Sequence, residues 1–192
     1  NTFLPKEIGY VNEAVGKNEL HRMLSDCLEK SGPEVTAKLA DDCKRIGFKF
    51  ATKSGLSISV ADMISPAARG EKIAEADEKV KRINNQYWKG WITEEERYHH
   101  AIRTWSALKN EITNLMIEEF QKHPENHIYY MIDSGARGNW GQVTQLCGMK
   151  GLVANPSGKT IELPIKANLK EGFSILEYFI ASHAGRKGKS DT

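Results

Sequence analysis

SPAARGEKIAEADEKVKRINNQYWKGWITEEERYHHAIRTWSALKNEITNLMIEEFQK, residues 65–122, carries the strongest periodic signal in the chain. Its first half repeats apolar residues at Ile73, Ala76, Val80, Ile83 and Tyr87, spaced three, four, three and four apart. That alternation keeps one stripe on one helix face and is the seam of a coiled coil. Ser65-Pro66 reads as an N-cap followed by a first-turn proline, and Gly90 as the stop. Thr93 and Glu96 then have capping-box spacing, the Thr93 hydroxyl placed for the Glu96 amide and the Glu96 carboxylate reaching back. A second seam follows at Ala101, Trp105, Leu108, Ile112 and Leu115. Roughly thirty residues at about 1.5 Å each give an arm about 45 Å long. Joined by Trp88-Lys89-Gly90-Trp91, the two helices predict an antiparallel hairpin over 65–123. Such an arm either docks on its own core or reaches a partner, and two tryptophans at its tip favour a contact surface.

On the N-terminal side, Leu20, Met23, Leu24, Cys27 and Leu28 recur at helical spacing until Ser31-Gly32. Pro33 suits the opening of a second short helix, with Val35, Leu39, Cys43 and Ile46 as its stripe and Gly47 as its end. The two are expected to pack as a small hairpin. Phe48, Phe50, Leu56, Ile58 and Val60 nearly alternate, which predicts a short strand pair or extended segment over 48–60. On the C-terminal side, an apolar run at 128–132 leads into Asp133-Ser134-Gly135-Ala136-Arg137-Gly138. Six of the 16 glycines fall between Gly135 and Gly158, a density expected where the main chain bends tightly or lets another group approach. Leu152-Val153-Ala154, a turn at 155–158 and Thr160-Ile161-Glu162-Leu163 read as a β-hairpin closed by Pro164. Asn168 and Glu171, in capping-box spacing, open a last helix through Phe173, Ile175, Leu176, Tyr178, Phe179, Ile180 and His183. Gly172, Gly185 and Gly188 lie within or near it, so it either ends near Ala184 or is built to bend. The expected class is mainly α with minor β (α+β), divided as 1–64, 65–123, 124–167 and 168–192.

The 192 residues allow one domain or two small ones, and 40% hydrophobic with 27% charged residues is ordinary globular composition. No apolar run approaches a membrane span. A net charge of +2 gives no global case for wrapping nucleic acid, so any nucleotide role must be local. Cys27, Cys43 and Cys147 are widely spaced and odd in number, against both a disulfide scaffold and a zinc site. The opening Asn1-Thr2-Phe3-Leu4-Pro5-Lys6 has no leader pattern and no Met, and reads as an internal piece of something cytoplasmic.

Among residues that could carry chemistry, Arg137 lies between two glycines in a loop able to present backbone amides. That setting suits a phosphate gripped by a guanidinium, or an arginine that holds its loop by pairing with Asp133. No Walker lysine or dinucleotide fingerprint accompanies it. Asp133 and Glu162 are the nearest carboxylates and lack the cluster that would hold magnesium. Adjacent His99 and His100 point to different sides of a helix, as solvated surface residues do. The basic tail Arg186-Lys187-Gly188-Lys189 could meet a nucleic-acid backbone.

Taken together, several blocks resemble the largest catalytic subunit, β′, of bacterial-type RNA polymerase over essentially the whole chain. They are Gly9-Tyr10-Val11-Asn12, Gly47-Phe48 through Ala51-Thr52-Lys53-Ser54-Gly55, and Ile92-Thr93-Glu94-Glu95-Glu96-Arg97-Tyr98. Two later blocks are more specific. One is the Asp133–Gly138 loop with Gln142, Gln145-Leu146 and Gly148-Met149-Lys150-Gly151-Leu152; the other is Leu163-Pro164-Ile165 with Glu171-Gly172 and Glu177-Tyr178-Phe179-Ile180. The resemblance implies that the hairpin forms the rim helices of the secondary channel, whose tip, with Trp88, Trp91, Glu95, Arg97 and Tyr98, meets transcription factors. It implies that Arg137 contacts the triphosphate of the incoming NTP, and that Gln145, Met149 and Lys150 belong to a loop supporting the moving trigger element. The last helix then begins the bridge helix, with Tyr178, His183, Arg186 and Lys187 on it.

Two departures stand out. The family's Gly-Met-Arg-Gly-Leu carries Lys150, which cannot reproduce a bidentate guanidinium contact, and its His-Gly-Ala-Arg-Lys-Gly has Ala184 and Gly185 exchanged. The family's magnesium-binding aspartates and trigger loop have no counterpart in these residues, so Mg2+ is expected only in the assembled polymerase and the isolated chain is expected to be inactive. Implied partners are the β, α and ω subunits, template DNA, RNA, NTP and channel factors, with no membrane, in a bacterial cytoplasm or a plastid. The rival readings are a free-standing coiled-coil adaptor with a structural glycine loop, and an isolated nucleotide-binding domain.

Overall fold

The structure, a computed structural model, describes residues 4–192. Asn1, Thr2 and Phe3, part of the leader-free reading of the N-terminus, lie outside the described residues. The chain divides into two compact units, Asn1–Ile58 with Tyr130–Gly138 and Ser59–Tyr129 with Asn139–Thr192.

In the first unit, helix α1 (Lys17–Ser54) is two legs joined at a kink. Gly32 there has φ 79° and ψ 176°, a conformation a β-carbon disfavours, and Pro33 has no N–H for the helical ladder. The break falls where the sequence places it. Leu20 and Met23 of the first leg and Leu39, Cys43 and Ile46 of the second line one depression, and Cys27 and Leu39 are buried. The second leg does not stop at Gly47 but runs to Ser54 and is capped at Gly55. The strand pair expected over 48–60 is therefore absent, because residues 48–54 are helical. Thr52 Oγ1 and Ser54 Oγ bond back to the Phe48 and Ala51 carbonyls. Alternation marks a strand only where one face is buried, and Phe48 and Phe50 are both exposed.

In the second unit, α2 (Arg69–Trp88) and α3 (Glu94–Gln121) form the antiparallel arm. Ala76 of α2 and Ala101, Trp105, Leu108 and Ile112 of α3 are buried along the seam. The α3 stripe then passes through Met116 and Phe120, both fully buried, rather than the half-buried Leu115. The Thr93–Glu96 capping box forms as its spacing requires. Ser65 does not cap α2, which starts at Arg69; its hydroxyl donates instead to the Cys147 carbonyl at 2.6 Å.

Helix α4 (His127–Asp133) crosses from the second unit into the first. Helix α5 (Trp140–Val143), capped by Asn139, continues as a single π-turn, Thr144–Gly148. Against α3 this piece stacks Trp140 edge-on to Phe120, with ring centroids 5.9 Å apart.

The expected β-hairpin is replaced by two isolated antiparallel bridges, Gly151 with Ile165 and Ala154 with Thr160. Its turn is present, closed by the Gly158 amide on the Asn155 carbonyl. No ladder grows because Pro164 cannot donate and the two sides between the Ile161–Val153 and Ile165–Gly151 bonds differ in length. The fold is thus mainly helical, with no strand among the described residues. Val153, Ile165 and Ile180 form a small core beneath this segment.

Helix α6 (Ile175–Asp191) opens at Ser174, whose hydroxyl accepts from the Glu177 amide, rather than at Asn168. Asn168 instead organises a separate turn, its Oδ1 accepting from the Glu171 amide at 2.8 Å. The helix passes Ala184 and continues through Gly185 and Gly188.

Candidate functional site

Arg137 stands on a loop that closes the C-terminal end of α4. The amides of Ser134, Gly135 and Arg137 reach back to the carbonyls of Tyr130, Ile132 and Met131, supplying partners for carbonyls a helix end leaves open. Gly135 and Gly138 take positive φ at 67° and 83°. The Arg137 side chain is exposed, and its guanidinium makes no ion pair among the described residues. Pairing with Asp133 is therefore not what holds the loop; the backbone does so, and the cation is left available.

In the second unit, Gln145, Met149 and Lys150 lie on or beside the π-turn. Met149 is fully buried. The carbonyls of Gln145 and Leu146 accept from the Leu169 and Lys170 amides. The Lys150 amide donates to the Ala167 carbonyl, and its ammonium lies 5.5 Å from the centre of the Phe173 ring. A strap, residues 160–171, thus runs beside the loop and feeds α6. The strap is also tied to the arm: Tyr98 Oη donates to the Thr160 carbonyl at 2.9 Å, Arg97 pairs with Glu162 at 2.9 Å, and Lys166 pairs with Asp77 at 2.6 Å.

Arg97 and Tyr98 therefore face the strap, while Trp88, Trp91 and Glu95 are open to solvent, the tryptophans 79% and 70% exposed. Hydrogen bonding to Glu94 and Glu162 holds the Arg97 guanidinium above its ordinary range despite the opposing effect of burial. On α6, Tyr178, His183 and Arg186 are exposed, whereas Lys187 donates to the Pro156 carbonyl at 3.1 Å.

Sequence reasoning missed the roles that four residues play in organising this unit. Arg69 donates to the Gly148 carbonyl at 2.6 Å and the Lys166 carbonyl at 2.9 Å, and pairs with Glu171 at 2.7 Å. The wholly buried Asn168 donates to the Cys147 and Gly148 carbonyls. Lys166 bridges to the arm as above. Glu177 accepts from the amides of Lys166, Ala167 and Ser174. Partial burial works against its charge, but these amide bonds and the Ser174 hydroxyl hold the carboxyl below its ordinary value. Asn168 and Glu177 carried a signal, as polar residues with a cap partner three positions away; Arg69 carried none, because its partners lie about 80 to 100 residues on.

No group of three or more His, Cys, Asp or Glu able to hold a metal is found among the described residues. Glu162 is committed to Arg97, and Asp133 stands exposed. These residues do not fit a magnesium site.

Two family models match the chain: RNA polymerase Rpb1, domain 3, over residues 7–63, and RNA polymerase Rpb1, domain 4, over residues 92–179. Three relatives, each named DNA-directed RNA polymerase subunit beta′, align over the whole chain. They come from Pelotomaculum thermopropionicum (46% identical), Heliobacterium modesticaldum (44%) and Desulforamulus reducens (43%). The chain spans 16% of the length of each of these curated relatives. Two neighbouring domains of one large subunit matched in order, and alignment from end to end to its bacterial form, make the chain a segment belonging to the RNA polymerase β′ subunit family.

Proposed function

We propose that the chain works as the pore and funnel segment of β′ within a DNA-directed RNA polymerase, the enzyme that joins NTPs into RNA on a DNA template. Residues 1–64 form the pore-like part, 65–123 the rim of the secondary channel, 124–167 the active-centre loop region and 168–192 the start of the bridge helix. The observation that carries this reading is α6. Ile175, Leu176, Tyr178 and Phe179 in its first two turns are 60–80% exposed, and a helical stretch with apolar residues on several sides is built to be enclosed. Enclosure by the rest of β′ and by the β, α and ω subunits supports a segment rather than a free-standing adaptor, which would have no cover for it.

In this reading Arg137 grips the triphosphate of the incoming NTP. Its guanidinium on a backbone-held loop supports that role, since a cation with no ion-pair partner among the described residues breaks no internal pair on binding an anion. The loop bearing Gln145, Met149 and Lys150 supports the moving catalytic element, and α6, with Tyr178, His183, Arg186 and Lys187, borders the nucleic acid. Magnesium supplies the charge stabilisation for phosphoryl transfer in such enzymes, held by carboxylates elsewhere in the subunit. Trp88, Trp91 and Glu95 form the face that channel factors meet, with Arg97 and Tyr98 bracing it from behind. The setting is the bacterial cytoplasm, at the nucleoid, or a plastid; no described helix is long and apolar enough to cross a membrane.

Arg137→Ala in the full-length subunit, assembled into polymerase, tests the reading. Loss of charge-assisted hydrogen bonds to phosphate raises KM for NTP roughly tenfold or more, with kcat changed less. Unchanged addition rates at low NTP overturn the triphosphate role of Arg137.

A further inference from the structure

We propose that Arg69, the first residue of α2, is a positioning residue that sets the active-centre loop 145–152 from the base of the arm. The inference rests on the polymerase reading above. The π-turn Thr144–Gly148 ends in carbonyls with no helical partner of their own, and the residues that follow it directly are Met149 and Lys150. Those end carbonyls are taken up by side chains from distant parts of the unit. Cys147 O accepts from Ser65 Oγ at 2.6 Å and Asn168 Nδ2 at 3.0 Å; Gly148 O accepts from Arg69 Nε at 2.6 Å and Asn168 Nδ2 at 3.2 Å.

Arg69 is the member that joins three elements at once. Beyond Gly148 it donates to the Lys166 carbonyl and pairs with Glu171, the two ends of the turn that leads into α6. Its side chain is 13% exposed, so the two carbonyl bonds are partly shielded from water while the Glu171 partner, 49% exposed, stands at the surface; a planar fork of donors fixes direction as well as distance. A cation at the carbonyl end of a helical turn is also favoured by the turn's dipole. Ser65 and Arg69 are both on the arm side, so the arm base, the loop and the entry to α6 are held as one polar joint.

The test uses full-length β′ carrying Arg69→Ala, Arg69→Lys or Glu171→Gln, reassembled into polymerase, with rapid-quench addition of a single nucleotide. Burst amplitude counts active complexes, and the rate of the burst reports each complex. Misplacing a loop near the chemistry lowers the maximal rate per active complex, for Arg69→Ala by roughly tenfold, with amplitude retained and KM for NTP within about twofold of the parent. Arg69→Lys falls between, because an ammonium cannot meet three acceptors in a fixed plane, and Glu171→Gln is milder still. A parental rate per complex in Arg69→Ala, including the case where only the amplitude drops, overturns the inference. If Arg69→Ala does not assemble, a parental rate in Arg69→Lys overturns it equally. Arg137→Ala run alongside separates the two levels: if it raises KM while the Arg69 variants keep the parental rate, only this inference falls; if it leaves KM unchanged, the triphosphate role of Arg137 falls and the Arg69 rates decide this inference by themselves.

Discussion

Gly148→Ala is the substitution whose cost the packing defines most sharply. A β-carbon at Gly148 would lie 2.9 Å from Ile112 Cγ2, 3.0 Å from Met116 Sδ and 3.2 Å from Thr144 Cγ2. All three neighbours are fully buried, and Ile112 is stiff at χ1, so the π-turn must lift away from α3. Overpacking of this kind costs about 1–3 kcal/mol, offset by about 0.5–1 kcal/mol from the reduced freedom of the unfolded chain. The net, about 1.5 kcal/mol, corresponds to roughly a tenfold larger local opening constant. Amide exchange read by mass spectrometry on peptides covering 105–120 and 140–150 measures it directly. Gly185→Ala is the matched control: it lies inside α6 with nothing within 4 Å of the added carbon, so protection there rises by about 0.5–1 kcal/mol. Parental protection at 140–150 in Gly148→Ala, or a loss in Gly185→Ala as large as in Gly148→Ala, would refute the close-approach argument.

Two further predictions concern titrating groups. Glu177→Gln leaves a nitrogen facing backbone amides that need an acceptor, and at pH 7 it weakens the strap-to-α6 joint by about 2 kcal/mol. Because the folded carboxyl titrates below its ordinary value, its contribution is fully present above the unfolded pKa of about 4.3 and is lost as pH falls through the folded value. The ratio of variant to parent exchange rates over 166–177 is therefore large at pH 7 and narrows toward pH 3; a ratio independent of pH refutes the assignment. Cys147 is wholly buried, and burial pushes its thiol up to about 11. Iodoacetamide at pH 8 should modify the half-buried Cys43 well before Cys147, and modification of Cys147 first would contradict the packing.

The arm was legible because its information is local. Heptad spacing, the Thr93–Glu96 box and the Gly90 stop each act within a few residues. The Gly32-Pro33 break was legible for the same reason. What failed were three readings that depended on what lies across from a residue. Ser65 looks like a cap until the Cys147 carbonyl, 82 positions away, competes for its hydroxyl. Asn168 looks like a helix start until two distant carbonyls bury it, and the alternation at Phe48 and Phe50 looks like a strand until neither side chain finds a core. The site divides in the same way. Arg137 could be singled out from its flanking glycines and its resemblance to a known loop, whereas Arg69 has no local pattern and its role comes wholly from tertiary contacts.

Helix α3 contains neither glycine nor proline from Glu94 to Gln121, and the outer part of its seam, Ala101, Trp105, Leu108 and Ile112, keeps a seven-residue repeat. The arm is thus modular in length. Removing seven residues from each of its two helices would shorten it by about 10 Å, keep every remaining seam residue in register and leave the Gly90 turn and Thr93 cap unchanged. Removing any other small number would turn the outer part by about 100° per residue and swing the tip tryptophans off their face. Descent with changing length is open to this arm only in steps of whole repeats.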